Sequence, residues 1–537
     1  MGYAHDYATA IMHRGRVPME PVDFVPDWAD RPRKAKFHPG AETLPLPEPV
    51  HEPSTGPADG FDLALLSGML QDSYGLTGRR LGVQANTDLA ALPHYTQANW
   101  SRGTASGGGL YPVAVHWAAG PGGPLTPGVY HYAPHRHGMR RLLTGDVTGD
   151  IREALGSDAP AQASGTGQYL ILSVKYWQNS FKYNSFSFHA VCMDVGTVLQ
   201  TWRLWAREHG LRIAPVLWFD EERIARLLGV DHREEGVFAV VPLEWAGDRT
   251  AGDGGPAAGS PDSPGSPNCP DSPGSSAPAV RHRDRERSLR VLAFETLHRI
   301  HEATLGRAAD RPAPGALDRA AALAPRGTDP LPLPAPAPAP IGVHAALRAR
   351  RSSFGRFDAS RALAPERLAA VLADCAATAV GSEAERPEGP GLTSLYVFVN
   401  HVEGLAPGAY AYDPAARALR LVVPGPPGPF LQRSYFLSNY NLEQAGAVIV
   451  PTVRTTAVLD AVGERGYRLV GAAVGAVAQT FYTSAAAHGL GAGVALGFDT
   501  VSHVEELRLT GTDEAPLLIM LLGHERPRPA DFRHEIA

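Results

Sequence analysis

Cysteine is scarce: Cys192, Cys269 and Cys375 are the only three in 537 residues, and they form no CxxC pair. That spacing excludes a disulfide framework and a thiolate zinc cage, and it fits a reducing, cytoplasmic setting. Runs of one charge are missing too, because 49 Lys and Arg against 55 Asp and Glu leave a dispersed net charge of -6. Such a balance argues against a nucleic-acid footprint and against a polybasic membrane patch. The opening MGYAHDYATAIMHRGRVPMEP has no uninterrupted apolar core for a secretory signal, and Gly2 is followed by Tyr3 rather than a myristoylation pattern. The most apolar stretch, about Leu469 to Phe498, is broken by Gln479, His488 and several glycines. It predicts a buried helix followed by a strand, not a membrane span.

With 44% hydrophobic residues over this length, two domains joined by connecting segments are expected. Residues 1–58 are proline-rich and read as an arm that wraps a partner domain. A first domain covers 59–245. Residues 246–282 replace bulky apolar side chains with Gly, Pro, Ser and Asp, cannot bury enough surface to offset ordering, and read as a flexible linker. Residues 283–340 combine one amphipathic helix, RERSLRVLAFETLHRIHEATLGRA, with the stiff PLPLPAPAPAP segment. A second domain covers 341–532.

The two domains repeat one another. Gly196 and Gly475 set an offset of 279, which without a gap also pairs Gln200 with Gln479, Thr201 with Thr480, His209 with His488, Phe219 with Phe498 and Asp220 with Asp499. Upstream, GVYHYAP at Gly128 matches GAYAYDP at Gly408, and GGLYP matches TSLYV. Each half mixes helices with short, scattered strands, which favours a layered α+β fold over a βαβ array. His209 and His488 both precede Gly-Leu at a helix end, where an imidazole meets the helix dipole, so capping is the expected role. His298 and His301 form HxxHE rather than HExxH, and no metal is expected.

Two segments can carry chemistry. RARRSSFGRF, Arg348 to Phe357, offers guanidinium forks and hydroxyls suited to a phosphate. NWSRGTASGGGLYPVAV supplies consecutive glycines that let backbone approach a flat ring or a phosphate. Each is common as a solvated face or a plain loop when taken alone.

The order of these motifs resembles the nitroreductase superfamily of FMN enzymes, and within it the SagB-type azoline dehydrogenases. SGG, GVYHY and a Lys-Tyr pair stand in the first half; RRSS, GAYAY and HGLGAGVALGFD stand in the second. The resemblance implies two tandem nitroreductase-like α/β/α domains forming an intramolecular pseudo-dimer. In the family the Lys-Tyr pair lies thirteen residues before the helix glycine, which selects Lys182-Tyr183 over Lys175-Tyr176; the second half has Ala461-Val462 there. The chain departs from the family where Asn184-Ser185-Phe186-Ser187-Phe188 replaces the usual glycine and arginines. Family members place flavin between subunits, which here implies a single FMN site. Arg350, Arg351, Ser352, Gly493, Gly497 and Arg526 or Arg528 would come from the second half, and Arg102, Ser106, Gly107 and Gly108 from the first. The reciprocal site is eroded on both sides, since HGLRIAPVLWFD carries Arg212 and Pro215 in place of glycine-rich text.

The implied reaction oxidises thiazoline or oxazoline rings of a ribosomally made peptide to azoles. Lys182 and Tyr183 would be the acid-base pair, oxygen would reoxidise the flavin, and a cyclodehydratase would be a physical partner. A free lysine, with a pKa of about 10.4, is a poor base at neutral pH, so its surroundings must favour the neutral form. Two alternatives remain: an NAD(P)H-dependent reductase of nitro compounds, quinones or enones, and a flavin-free scaffold subunit. All eight tryptophans fall in the first half; most are expected in the core, with a substrate cleft as the other use.

Overall fold

Two antiparallel sheets of matching strand order frame the computed structural model, which describes residues 2–51, 58–81, 98–246, 277–386, 388–527 and 532–536. The first sheet contains β1 (Thr43–Pro45), β2 (Val113–Ala119), β3 (Gly128–Ala133), β4 (Gly138–Thr144), β5 (Gln168–Lys175) and β6 (Glu235–Pro242), in the order β1-β4-β3-β2-β5-β6. The second contains β7 (Leu331–Pro332), β8 (Thr393–Val399), β9 (Gly408–Asp413), β10 (Ala418–Pro424), β11 (Ala447–Arg454), β12 (Gly491–Ala495), β13 (Glu514–Pro516) and β14 (Ile519–Gly523). Its order is β12-β14-β11-β8-β9-β10-β7, with β13 beside β11. The duplication extends to detail. A register shift falls between Val129 and Tyr130 in one half and between Ala409 and Tyr410 in the other. Tyr130 Oη donates to the Thr126 carbonyl at 2.5 Å, and Tyr410 Oη to the Ala406 carbonyl at 2.8 Å.

Within these two sheets, β12 is the strand without a counterpart. The offset that aligns the halves maps β12 onto 212–216, where only Val216 bridges, to Val240. Pro215 has no N–H to give a ladder and holds the segment out of the sheet.

The helices that position the site are α1 (Tyr3–His13), α2 (Leu63–Ser73), α3 (Trp177–Tyr183), α4 (Ser187–Glu208), α5 (Glu295–Leu305), α6 (Val343–Ala349), α7 (Pro365–Ala376) and α8 (Gly466–Ala487). Helices α4 and α8 cross at the centre. A Cβ on Gly196 would lie 2.1 Å from the Ala472 carbonyl oxygen, and one on Gly475 would lie 2.0 Å from that of Met193. Since 193 and 472 are themselves equivalent, the contact is reciprocal, as across a twofold dimer interface. Small side chains therefore admit backbone-to-backbone approach where larger ones would hold the halves apart. Helix α8 is long and apolar enough to cross a membrane by length and composition, yet 94% of its most apolar window is buried within the protein.

The N-terminal arm includes α1. Its start is helical and lies on the second half, where Ala4 N–H donates to Glu464 at 2.9 Å. The single helix expected over RERSLRVLAFETLHRIHEATLGRA is confined to α5. Residues before it are held extended by outside partners: Lys175 on Glu286 at 2.6 Å, and Asp30 on the Leu289 and Arg290 N–H groups at 2.6 and 2.8 Å. Those tertiary contacts override helical spacing. The expected linker, 246–282, falls largely outside the described residues.

Candidate active site

Between the halves lies a cavity of about 1600 Å³. The first half contributes the loop Arg102–Tyr111, α3 and part of α4; the second contributes Arg350–Phe354, the tyrosines Tyr435, Tyr440 and Tyr482, and Val494–Gly497. The arm closes one side with Trp28 and 31–37, and Arg14 reaches in from the end of α1.

The glycine loop is built for close approach. Gly108 and Gly109 have φ of +62° and +64°, a region that favours glycine. A Cβ on Gly108 would stand 2.5 Å from Tyr183 Oη and 2.7 Å from Lys182 Nζ, so the Lys-Tyr pair rests directly against this backbone. The Lys182 ammonium also faces the Tyr183 ring at 4.6 Å and the Trp28 ring at 5.9 Å. Cations crowd here: burial pushes the Lys34 ammonium below its ordinary value, and the nearby charges of Arg102, Arg31 and Lys182 push the same way.

Asp194 on α4 anchors the loop. It accepts from Ser106 Oγ and from the Gly107 N–H, both at 2.8 Å, while Ser106 Oγ accepts from the Tyr111 N–H at 2.9 Å. Burial raises the Asp194 carboxyl to about 7, against the opposing effect of those two donors. A lone aspartate in an apolar helix, two residues before the duplicated glycine, is the sequence signal that marks this residue.

From the other half, Gln479 Oε1 accepts from the Ala105 N–H at 2.9 Å. Arg350 donates through Nε to the Gly103 carbonyl and through Nη2 to the Arg102 carbonyl, each at 2.8 Å, and its guanidinium lies 5.1 Å from the centre of the Tyr482 ring. Ser352 Oγ and Tyr482 Oη are 2.8 Å apart, and Arg351 pairs with Glu525.

Ten of the expected site residues thus line one cavity: Lys182, Tyr183, Arg102, Ser106, Gly107, Gly108, Arg350, Arg351, Ser352 and Gly497. Two others do not. Gly493 lies behind the Tyr440 ring, where a Cβ would come within 2.4 Å of that ring. Arg526 is turned to the backbone, its Nε on the Phe357 carbonyl at 3.0 Å and its N–H on that of Arg356 at 2.8 Å. Arg528 lies outside the described residues. Of the tryptophans, Trp117, Trp177, Trp202, Trp205, Trp218 and Trp245 are buried, whereas Trp28 and Trp100 line the cavity and are about half exposed. His209 plays a structural part: its Nδ1 lies 2.9 Å from the Trp205 carbonyl and its ring stacks on Trp205 at 3.6 Å.

The residues present suit FMN. Among the described residues, Arg102 Nη1 and Arg351 Nε are buried without a hydrogen-bond partner, on side chains that line the cavity. Unspent guanidinium donors fit an anionic group, and the glycines at 107 and 108 fit a flat ring. The mirrored position is filled instead. Glu383 accepts from the Leu217 and Trp218 N–H groups at 2.8 and 2.7 Å, the equivalents of Leu496 and Gly497. Arg465 occupies the Leu217 carbonyl at 2.6 Å and pairs with Glu221 at 2.8 Å. Trp218 itself is buried where its counterpart is glycine.

The sequence model of the nitroreductase family matches residues 347–524, about a third of the chain. A candidate nitroreductase from Anabaena variabilis ATCC 29413 superposes with a TM-score of 0.71 at 23% identity, covering 98% of this chain and 100% of that one. A shorter candidate nitroreductase from Ralstonia eutropha JMP134 covers 41% of this chain and 99% of its own at 22% identity and a TM-score of 0.30. One chain of a structure of the E. coli microcin synthetase McbBCD complex matches over 33% of this chain and 70% of its own at 18% identity and a TM-score of 0.29. No curated protein matches the chain by sequence. The fold is therefore nitroreductase-like α+β, with an N-terminal and a C-terminal part of that kind, the fold of a family of flavin-dependent oxidoreductases.

Proposed function

We propose that this chain is an FMN-dependent dehydrogenase that oxidises thiazoline or oxazoline rings in a ribosomally made peptide to thiazole or oxazole, with oxygen as final acceptor. The observation that carries this reading is the placement of Lys182 Nζ and Tyr183 Oη against the Gly108 backbone inside the interdomain cavity. A reductase supplied by NAD(P)H has no need of a paired lysine and tyrosine there.

Arg102, Arg351 and Ser352 would hold the phosphate end of FMN, and Ser106 to Gly108 would border its ring. Bound FMN would supply the hydride acceptor. Lys182 withdraws the proton from the azoline Cα, and Tyr183 orients the lysine or relays that proton. Positioned proton transfer of this kind is worth roughly 100- to 10,000-fold. Trp28 and Trp100 offer flat apolar faces at the cavity for the peptide's rings. A cytoplasmic setting and a cyclodehydratase partner complete the proposal.

The test is incubation of the purified, FMN-loaded chain with a thiazoline-bearing peptide under air. A mass loss of about 2 Da per ring, with absorbance of the new azole, is the expected result. Turnover of quinones or nitroaromatics with NAD(P)H and none of the peptide would replace this reading with the reductase. A colourless protein unable to take up FMN would favour the scaffold.

A further inference from the structure

Away from the cavity, three residues from three parts of the chain converge on one point. His51 lies in the arm, Asp72 in the last turn of α2, and His344 in the first turn of α6. His51 Nδ1 is 3.1 Å from Asp72 Oδ2, and His344 Nδ1 is 2.9 Å from both carboxylate oxygens. The imidazole rings are tilted at 33° to one another, with 4.2 Å between centres. Asp72 is fully buried, and among the described residues its ion-pair partners are these two histidines; each histidine keeps roughly a fifth of its side chain exposed. None of the three lines the interdomain cavity.

We propose that His51, Asp72 and His344 form a binding site for a divalent transition-metal ion of the zinc class, which ties the arm and the two halves together. Two imidazole nitrogens and one carboxylate are the ligand types such ions prefer. All the ligand atoms lie within 4.8 Å of one another. Ligands about 2.0 to 2.2 Å from a tetrahedral ion stand roughly 3.3 to 3.5 Å apart, so the nitrogen–oxygen separations seen need open by only a few tenths of an ångström. The exposed edges of the histidines leave a fourth position for water. Trp205 Nε1 donates to Asp72 Oδ2 at 3.1 Å, the kind of outer bond that fixes a ligating carboxylate.

The position would give the ion a mechanical role. Immediately after Asp72, the Ser73 carbonyl accepts from the Thr104 N–H at 2.9 Å. Immediately after α6, Arg350 grips the Gly103 carbonyl. An ion joining α2 to α6 would therefore brace these two of the attachments of the Arg102–Tyr111 loop.

The test is calorimetric titration of the chelator-treated full chain with ZnCl2, repeated with CoCl2 and visible absorption. One saturable equivalent is expected, with the intense ligand-field bands of a tetrahedral cobalt site. His51→Gln and His344→Gln, both at partly exposed positions, should each weaken binding by more than the roughly 10- to 100-fold that loss of an outer-shell partner costs. His13→Gln, on an exposed histidine elsewhere, should leave it unchanged. Absence of saturable binding in the wild-type chain overturns the proposal, as does one-equivalent binding that survives unchanged in the His51→Gln/His344→Gln double variant.

Discussion

Gly475 packs with its Cα against the backbone of Met193, and a Cβ there would lie 2.0 Å from the Met193 carbonyl oxygen. The obstacle is backbone of the partnering helix, which cannot rotate away as a side chain can. Gly475→Val should therefore destabilise the chain by more than the about 1 to 3 kcal/mol usual for overpacking. Urea unfolding of the variant checks this. A midpoint unchanged from wild type would mean that the helices are not in contact there.

Lys182→Ala should retain FMN and lose peptide dehydrogenation by roughly 100- to 10,000-fold, the range for a positioned acid or base. Tyr183→Phe should fall less if the hydroxyl only orients the lysine, and as far if it relays the proton. Flavin absorbance together with single-turnover rates separates lost chemistry from lost cofactor. Full activity in the flavin-bound Lys182→Ala protein would remove the pair from the mechanism.

Asp194 makes a pH-dependent contribution whose sign is fixed by its environment. Its carboxyl is held at about 7 in the folded chain, against 3.8 when unfolded. Between those values the folded state keeps a proton that the unfolded state has released, so stability falls as pH rises from about 4 to about 7. The shift sets an upper bound of about 4 kcal/mol. Asp194→Asn cannot titrate, so its unfolding free energy should lack this fall. Parallel pH curves for the two proteins would show that Asp194 does not titrate in this interval.

The purified chain should carry one flavin, not two. In the mirrored position Glu383 already occupies the Leu217 and Trp218 N–H groups, and Ala461 and Val462 replace the Lys-Tyr pair. Absorbance of released flavin against protein concentration gives the ratio directly; a value near two would refute the asymmetry.

This asymmetry was partly written in the sequence. The gapless offset from Gly196 to Gly475 exposed the duplication because the central helices must repeat their small residues to touch. Lys182-Tyr183 was singled out by the thirteen-residue spacing that the family resemblance implies, and Pro215 was visible as an interruption of the glycine-rich text in the half that lacks the extra strand. Asp194 and the arm residues around Trp28 were harder to see, since a single charge in a helix and a proline-rich arm carry no periodic signal. His51, Asp72 and His344 were not legible at all: nothing local marks residues that only the packing of α2 and α6 brings together. Gly493 and Arg526 show the converse, where a motif predicted a cavity lining and the backbone turned the residues elsewhere.

Arg350 lines the cavity and also joins the two halves. The arginine-serine motif suggested a phosphate ligand, yet its guanidinium is directed to the Arg102 and Gly103 carbonyls of the other half. Lysine has one nitrogen in place of the planar fork and cannot reproduce both bonds. Arg350→Lys should therefore loosen the glycine loop and weaken FMN retention through it, while Arg351→Lys acts on the anionic end. The two mechanisms separate when riboflavin, which lacks the phosphate, replaces FMN. Loss of affinity in Arg350→Lys should be of similar size for both flavins, whereas in Arg351→Lys it should be confined to FMN. Equal selectivity for FMN in the two variants would return Arg350 to the role of phosphate ligand.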